Sequence, residues 1–302
     1  MKTNSRYEGD MTKLYAVIEA GGTKFNCAIV DADRNILAET RIPTTTPDQT
    51  LHETIAFFQA QKEQGYHFDQ LGLATFGPVD LNKESKHYGH ITATPKPHWS
   101  YTPIVQQLER NLQCDVNVDT DVNAAALAEY RWGAAQGASC CIYVTVGTGI
   151  GGGVVINGKS LKGLIHPEIG HMLIGDIDGV SGVCPFHGSC IEGLAAGSSM
   201  GKIWGIPAEE LSDNHKAWEV EAKVLGRLCH NLLVSFSPEK IVMGGGVMAK
   251  PGLLEKVIQE TEQSLAGYMS LPENITFNEI IVPPGLGQRS GLFGALALLI
   301  EE

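Results

Sequence analysis

Apolar residues fall along the first third of the chain in short β-rich runs. LYAVIEA (Leu14–Ala20) and FNCAIVD (Phe25–Asp31) flank a glycine tip, and Asn35 to Arg41 continues as a third extended run. Runs of this length bounded by Gly and polar residues predict strands. Thr44–Asp48 supplies turn and cap residues, and Leu51, Ile55, Phe58 and Gln59 begin a helix that reaches about Gly65. Leu71 to Thr75 reads as a short buried strand running into Phe76-Gly77-Pro78-Val79-Asp80, a loop signature. His87 to Pro97 is irregular and polar, Tyr101 to Leu112 predicts a helix, and Asp115 to Asp119 predicts a strand. The order is βββ-α-β-α-β.

The second part repeats it. Val122 to Trp132 is an Ala-rich helix, followed by a second hairpin, CCIYVTV-GTGIGGG-VVING. Trp218, Ala222, Leu225, Cys229, Leu232 and Phe236 share one helical face, and Lys240 to Met243 is a buried strand ending in Gly244, Gly245 and Gly246. Leu253 to Ala266 predicts a helix, Ile275 to Val282 an extended run, and Ser290 to Ile300 an apolar terminal helix. Two such halves imply two α/β lobes with a cleft between them, a favoured place for a ligand. The expected division is an N-terminal extension at 1–13, a smaller lobe at 14–118 joined by the terminal helix at about 288–302, and a larger lobe at 119–287.

Composition adds exclusions. At 302 residues the chain exceeds the usual size of a single core, and its 43% hydrophobic, 19% charged make-up is ordinary for a globular protein. A net charge of −12 argues against general nucleic-acid binding, which needs phosphate neutralisation. It does not exclude ATP, which local donors and a cation can hold. No apolar run is long enough to span a bilayer, and the N-terminus lacks the apolar core of a signal peptide. Met11 offers a second start, so the first ten residues read as a tag, scar or disordered extension. Seven Cys without secretory features point to a reducing, cytoplasmic setting.

Both glycine tips carry chemistry. Gly21, Gly22 and Thr23 form the first, and Gly147, Thr148, Gly149, Gly151, Gly152 and Gly153 the second. Gly permits unusual φ and close approach, and a nest of N–H groups with a Thr hydroxyl suits a phosphate. Gly147, Gly149 and Gly152 match G-x-G-x-x-G, but a strand follows where the dinucleotide motif needs a helix. No G-x-x-x-x-G-K-[ST] occurs anywhere.

The segment from His171 to about Asn214 is too long for a plain loop. It contains Cys184-Pro-Phe-His187-Gly-Ser-Cys190, and His171 completes a set of four candidate ligands for a structural Zn²⁺. Asp119, Asp121 and Asn123 crowd a strand end that opens a helix at Asp121. Capping accounts for one of them, not three. Asp121 is the candidate base for a hydroxyl proton, with Asp119 in a supporting place.

Taken together, EAGGTK (Glu19–Lys24), FGPVD (Phe76–Asp80), DTDVNAAALAE (Asp119–Glu129), TVGTGIGGG (Thr145–Gly153), HPEIGH (His166–His171), CPFHGSCIEG (Cys184–Gly193) and MGGGV (Met243–Val247) resemble the ROK family of sugar kinases. EAGGTKF, YGHITATPKPHW (Tyr88–Trp99) and the C-x-x-H-x-x-C cluster are most similar to its bacterial fructokinases. The resemblance implies a two-lobed actin-like ATPase (ribonuclease H-like) α/β fold and phosphorylation of a hexose, D-fructose at O6, by ATP. It implies ATP at Gly21, Gly22, Thr23, Lys24, Thr145, Gly147, Thr148, Gly149 and Gly244–Gly246. The sugar would lie at Gly77, Thr120, Asp121, Glu168, His171 and Glu192. Glu19 would act on Mg²⁺ through water, and His171, Cys184, His187 and Cys190 would hold zinc. Thr120 stands where many hexokinase-like relatives carry Asn, and His187 replaces a Cys of many others. The resemblance further implies a homodimer, while the charge and the lack of a long apolar run leave no nucleic-acid or membrane partner expected. Kinases of glucose, mannose or N-acetylhexosamines and a non-catalytic sugar sensor are the rival readings.

Overall fold

The structure, a computed structural model, describes residues 13–300; the expected N-terminal extension lies, apart from its last residue, outside them. Strands β1 (Leu14–Ala20), β2 (Lys24–Asp31) and β3 (Ile36–Pro43) form a meander, followed by helix α1 (Pro47–Glu63) and strand β4 (Gln70–Thr75). Helix α2 (Ile104–Leu112) leads into β5 (Asp115–Thr120) and α3 (Asp121–Trp132). The second half opens with β6 (Cys140–Val146), β7 (Ile150–Ile156) and β8 (Lys159–Ser160). Then come α4 (Ile191–Ala195), α5 (Gly197–Trp204), α6 (Ala217–Phe236), β9 (Lys240–Gly244), α7 (Leu253–Leu265), α8 (Phe277–Ile280), β10 (Ile281–Val282) and α9 (Ser290–Ala297).

The two sheets have one topology. The first runs β3-β2-β1-β4-β5 and the second β10-β9-β6-β7-β8, so each centres on the first strand of its half. In both, the meander pairs are antiparallel and the later pairs parallel. The meander strands alternate or run apolar as their burial requires, and the parallel strands β4 and β9 are buried almost throughout, as strands covered on both faces must be.

Helices α3 and α9 pack together between the sheets. Ala124, Leu292, Ala295 and Leu296 form one small core with β1 and β4 residues, and Ala125, Ala126, Leu127 and Ala297 form another with β6 and β7. The Ala-rich face of α3 is what permits this approach. Glu129, fully buried, accepts from Ala134 N (2.8 Å), Gly285 N (2.9 Å), Leu286 N (3.1 Å) and Ser290 Oγ (2.6 Å), tying the end of α3 to the start of α9. Four donors satisfy a carboxylate that burial would otherwise penalise.

At Gly153 of β7, an added Cβ would stand 2.2 Å from Val122 O in the first turn of α3. Gly153→Ala should therefore lift the end of α3 that carries Asp121, costing about 1–3 kcal/mol of stability. Denaturant unfolding checks the cost, and an activity loss larger than the stability loss explains would show that α3 had moved.

Four expectations need correction. Residues 275–282 are not one extended run: Phe277–Ile280 is helical, because Thr276 and Glu279 make a reciprocal capping box, and only Ile281–Val282 is strand. Helix α2 starts at Ile104 rather than Tyr101, which has φ 64°, and Thr102 precedes a proline that disfavours helical backbone. The segment beyond His171 is not irregular throughout but carries α4 and α5. The terminal helix stops at Ala297, short of Ile300.

Candidate active site between the two sheets

Each glycine tip follows the C-terminal end of its sheet's central strand, β1 or β6. Ligands of open α/β sheets gather at such ends. The first tip is closed by Gly21 N to Lys24 O (2.9 Å) and braced by Thr44 Oγ1 to Gly21 O (2.7 Å). The second is closed by Gly147 N to Gly149 O (2.9 Å), and the start of α5 leans on it through Gly197 N to Gly147 O (2.7 Å) and Ser198 Oγ to Thr148 O (2.7 Å).

None of the glycines in either tip has positive φ, so the unusual backbone angles expected there are not what glycine supplies. What they supply is missing bulk. An added Cβ at Gly149 would lie 2.7 Å from Glu192 Oε2, whereas at Gly22 or Gly147 it would meet nothing within 4 Å. The last two therefore present bare backbone to open space. Thr23, Lys24 and Thr148 are exposed beside them, and Thr145 is partly so. At the end of β9, Gly245 does need its φ of 97°, and a Cβ there would strike Val146 O at 2.3 Å. This contact brings Gly244–Gly246 alongside the second tip.

Asp121 sits half-buried at the first residue of α3, its Oδ1 accepting from Val122 N at 2.9 Å. The N-cap is Thr120, whose hydroxyl accepts from Asn123 N at 3.1 Å. Thr120, expected at the sugar, is thus buried with its hydroxyl engaged as a cap. Burial, reinforced by the nearby Glu19 carboxylate and less by Glu168, pushes Asp121 up to about 7 despite the Val122 N–H bond. Asp119 is wholly enclosed. It accepts from Thr120 N (2.8 Å), Asn123 Nδ2 (2.8 Å), Ser160 Oγ (2.9 Å) and Lys162 Nζ (2.9 Å), which engages both of its oxygens and ties β5 to β8.

Glu19, at the end of β1, accepts from Asn26 Nδ2 at 2.7 Å. Its pKa is raised chiefly by burial, against the lowering effects of Asn26 and of Lys24, Arg289 and Arg41. Gly291 of α9 leaves room for it, since a Cβ there would fall 2.2 Å from Glu19 Oε1. Two desolvated carboxylates near enough to act on one another, Glu19 and Asp121, favour a cation close by. That donor set fits Mg²⁺, which prefers carboxylate and water oxygens.

The second acidic group comes from the other sheet. Glu192 Oε2 accepts from Ile150 N at 2.9 Å, and its Oε1 stands 3.9 Å from His171 Nε2. Glu168 is raised by burial, with His166 and His171 opposing and Glu192 reinforcing that shift. His166 Nδ1 lies 3.4 Å from Glu168 Oε1, while its Nε2 accepts from Val79 N at 3.5 Å. A Cβ on Gly77 would meet the same imidazole at 3.4 Å. His166 therefore joins the Gly77 loop of the first sheet to the Glu168 loop of the second.

His171, Cys184, His187 and Cys190 converge, with their ligand atoms all within 4.8 Å of one another. His171 Nδ1 is 4.0 Å from Cys184 Sγ and 3.7 Å from Cys190 Sγ, and His187 Nδ1 is 3.7 Å from Cys184 Sγ. A tetrahedron with zinc bonds of about 2.0–2.3 Å has edges of about 3.3–3.8 Å, so this donor set fits Zn²⁺. His171 would use Nδ1 for the metal and keep Nε2 for the cleft.

Electrostatic and packing contacts thus link Glu19 to Asp121, Asp121 to Glu168, and Glu168 to His171 and Glu192, with Gly77 against His166 and the second tip against Glu192. Sequence reasoning had no place for Ser160 and Lys162, or for Lys96, whose ammonium contacts Gly22 O. His166 was visible only as a neighbour of the Cys/His cluster, although it opens the HPEIGH motif.

A duplicated β-sheet unit closing on matched strand ends is the two-lobed actin-like ATPase fold. A sequence model of the ROK family matches residues 15–302, and the chain belongs to that family. A fructokinase of Zymomonas mobilis is 45% identical over 95% of this chain and 97% of its own. One from Streptococcus mutans is 37% identical over 95% of this chain and 98% of its own. Among solved structures, a ROK hexokinase of Thermus thermophilus superposes with a TM-score of 0.75 at 29% identity, covering 95% of this chain and 97% of that one. A ROK glucokinase of Streptomyces griseus, solved with glucose and AMPPNP, gives 0.74 at 25% identity, covering 94% and 97%.

Proposed function

We propose that this protein is an ATP-dependent hexose 6-phosphotransferase whose preferred sugar is D-fructose. The observation that carries the proposal is a raised carboxylate, Asp121, at a strand-to-helix junction and electrostatically close to Glu19 of the first tip's strand, in a chain with two bare-backbone tips at equivalent strand ends. Fructokinases at 37–45% identity along nearly the whole chain support the choice of sugar.

In this reading the tips at Gly21–Lys24 and Thr145–Gly149 take the phosphates of ATP, and Gly244–Gly246 lies beside the adenosine. Glu168, His171 and Glu192, with the backbone at Gly77, hold the sugar hydroxyls. Asp121 orients the reacting hydroxyl and accepts its proton late, because the transition state of phosphoryl transfer is loose and positioning dominates. Glu19 would hold Mg²⁺ through water, and the ion supplies charge neutralisation on the phosphates. His171, Cys184, His187 and Cys190 would hold a structural zinc that stiffens the segment bearing His171 and Glu192. The homodimer implied by the family resemblance and the cytoplasmic setting read from the free cysteines belong to the same proposal, and sedimentation of the purified chain tests the first.

ADP release across a hexose panel tests the function. Fructose should give the highest kcat/KM, with glucose, mannose and N-acetylhexosamines well below it. A higher value for glucose would transfer the chain to the glucokinases, and no ADP release on any hexose would leave only a sugar-sensing module.

A further inference from the structure

The loop between β4 and α2 runs as a strap from the Gly77 loop to the first glycine tip. Its anchor is Trp99, fully buried, with its ring 5.6 Å from Phe25 and 5.2 Å from Phe76, and with Nε1 donating to Thr45 O at 2.8 Å. Upstream of that anchor, Thr94 Oγ1 donates to Gly77 O at 3.3 Å and accepts from Lys96 N at 3.4 Å. Pro95 and Pro97 flank Lys96 and fix the backbone on either side of it. The strap thus holds Lys96 at a set place, with its backbone near the Gly77 loop and its ammonium on the carbonyl of Gly22 in the first glycine tip.

That ammonium is electrostatically incomplete. Among the described residues no carboxylate lies within 4.0 Å of it, although Lys162, Lys223 and Lys250 each have one. A cation at the exposed edge of the tip, held by a carbonyl dipole, is free to take an anion as its next partner. Lys24 in the first tip and Arg41 and Arg289 near Glu19 also bring positive charge, and Lys96 adds a cation held on the tip itself, where a triphosphate needs charge from the protein as well as from Mg²⁺. The place of the charge is informative too. Thr94 touches the loop assigned to the sugar and Lys96 the tip assigned to phosphate, so the strap bridges the two proposed subsites with Lys96 at the phosphate end.

We propose that Lys96 is a catalytic residue whose ammonium engages the phosphoryl group in transit and then the phosphate of the hexose 6-phosphate. This rests on the hexose-kinase reading above. The bond between phosphorus and the β,γ-bridging oxygen of ATP breaks as the bond to the sugar oxygen forms, and the sugar proton goes to Asp121. Lys96 keeps its proton and supplies charge that is fixed before the reaction, the kind of stabilisation that grows toward the transition state.

The test compares Lys96→Met and Lys96→Arg with the wild-type chain. Lys96→Met should lower kcat about 10²-fold, the usual scale for losing one fixed charge donor. Its hexose affinity, read by Trp fluorescence without nucleotide, should stay within about twofold, and product inhibition by hexose 6-phosphate should weaken about tenfold. Lys96→Arg should recover most of the rate, because a guanidinium keeps the charge. A kcat for Lys96→Met within about threefold of wild type would overturn the proposal. So would a rate loss matched by lost hexose affinity and lowered Tm, or one that Lys96→Arg does not relieve, since either makes Lys96 a structural strap on Gly22. A wild-type chain releasing no ADP on any hexose would overturn the kinase reading itself, and this inference with it.

Discussion

Asp121→Asn should lower kcat by about 10²–10⁴-fold, the range over which a positioned base contributes, while the hexose still binds. The amide keeps the shape and the contact with Val122 N–H but cannot accept a proton. The pH dependence follows from the same carboxyl. Burial and the neighbouring Glu19 push Asp121 up to about 7, so kcat/KM for the wild-type chain should fall below about pH 7 as the base becomes protonated. Stability should move the opposite way. A folded pKa above the unfolded value means that the fold holds this proton more tightly, and the associated stability is present below the unfolded pKa and lost as pH rises through about 7. Asn never ionises, so Asp121→Asn should melt higher than wild type at pH 8, by up to about 4 kcal/mol, with the gap closing toward pH 4. Loss of rate with gain of stability is a signature that mere disruption cannot produce. Near-normal turnover in Asp121→Asn would remove Asp121 from the base position.

The repeated architecture was legible because it is written in local pattern. Strand length, glycine tips and helical faces recur in the same order in both halves, and β1–β5 and β6–β10 return that order as one topology. The polar crowding around Asp121 was legible as well, since three polar groups at one strand end exceed what capping needs. The structure refines this by giving the cap to Thr120 and the supporting bonds to Asp119. Other features depend on contacts far apart in sequence, and no local pattern signals them. Lys162 meets Asp119 across 43 positions, a separation fixed by the β7–β8 turn and not by any motif. Lys96 reaches Gly22 across 74, through a strap whose course is set by where Trp99 buries. The φ values at the tips could not be read either, because Gly serves both close approach and unusual angles. Only the neighbours, Glu192 beside Gly149 among them, tell which is in use. The misread run at 275–282 is of a different kind. Its capping box at Thr276 and Glu279 was visible, but Ile275, Phe277, Ile280 and Ile281 read equally as strand, and a four-residue helix leaves no period to separate them.

The Cys/His cluster carries the other large effect. Cys190→Ser should lower Tm by about 5–10 °C, the shift that roughly 3 kcal/mol produces in a chain this long, and should open residues 171–214 to proteolysis. Structural zinc is worth about 10–16 kcal/mol in small peptides that have no fold without it; here α4 packs on α6, and Ile191 and Leu194 sit in the main core, so much of the segment has support of its own. Activity should suffer more than stability. The cluster sets the His171 ring through Nδ1, leaving Nε2 3.9 Å from Glu192 Oε1, and Glu192 in turn accepts from Ile150 N beside the second tip. A freed imidazole would turn, and the alignment of sugar and phosphate groups would go with it, raising the hexose KM. Metal analysis of the purified chain should find about one zinc per chain. Chelation should reproduce the Cys190→Ser profile, and added Zn²⁺ should reverse it for the wild-type chain alone. A metal-free chain with full activity and unchanged melting would show that four converging side chains stand there without an ion.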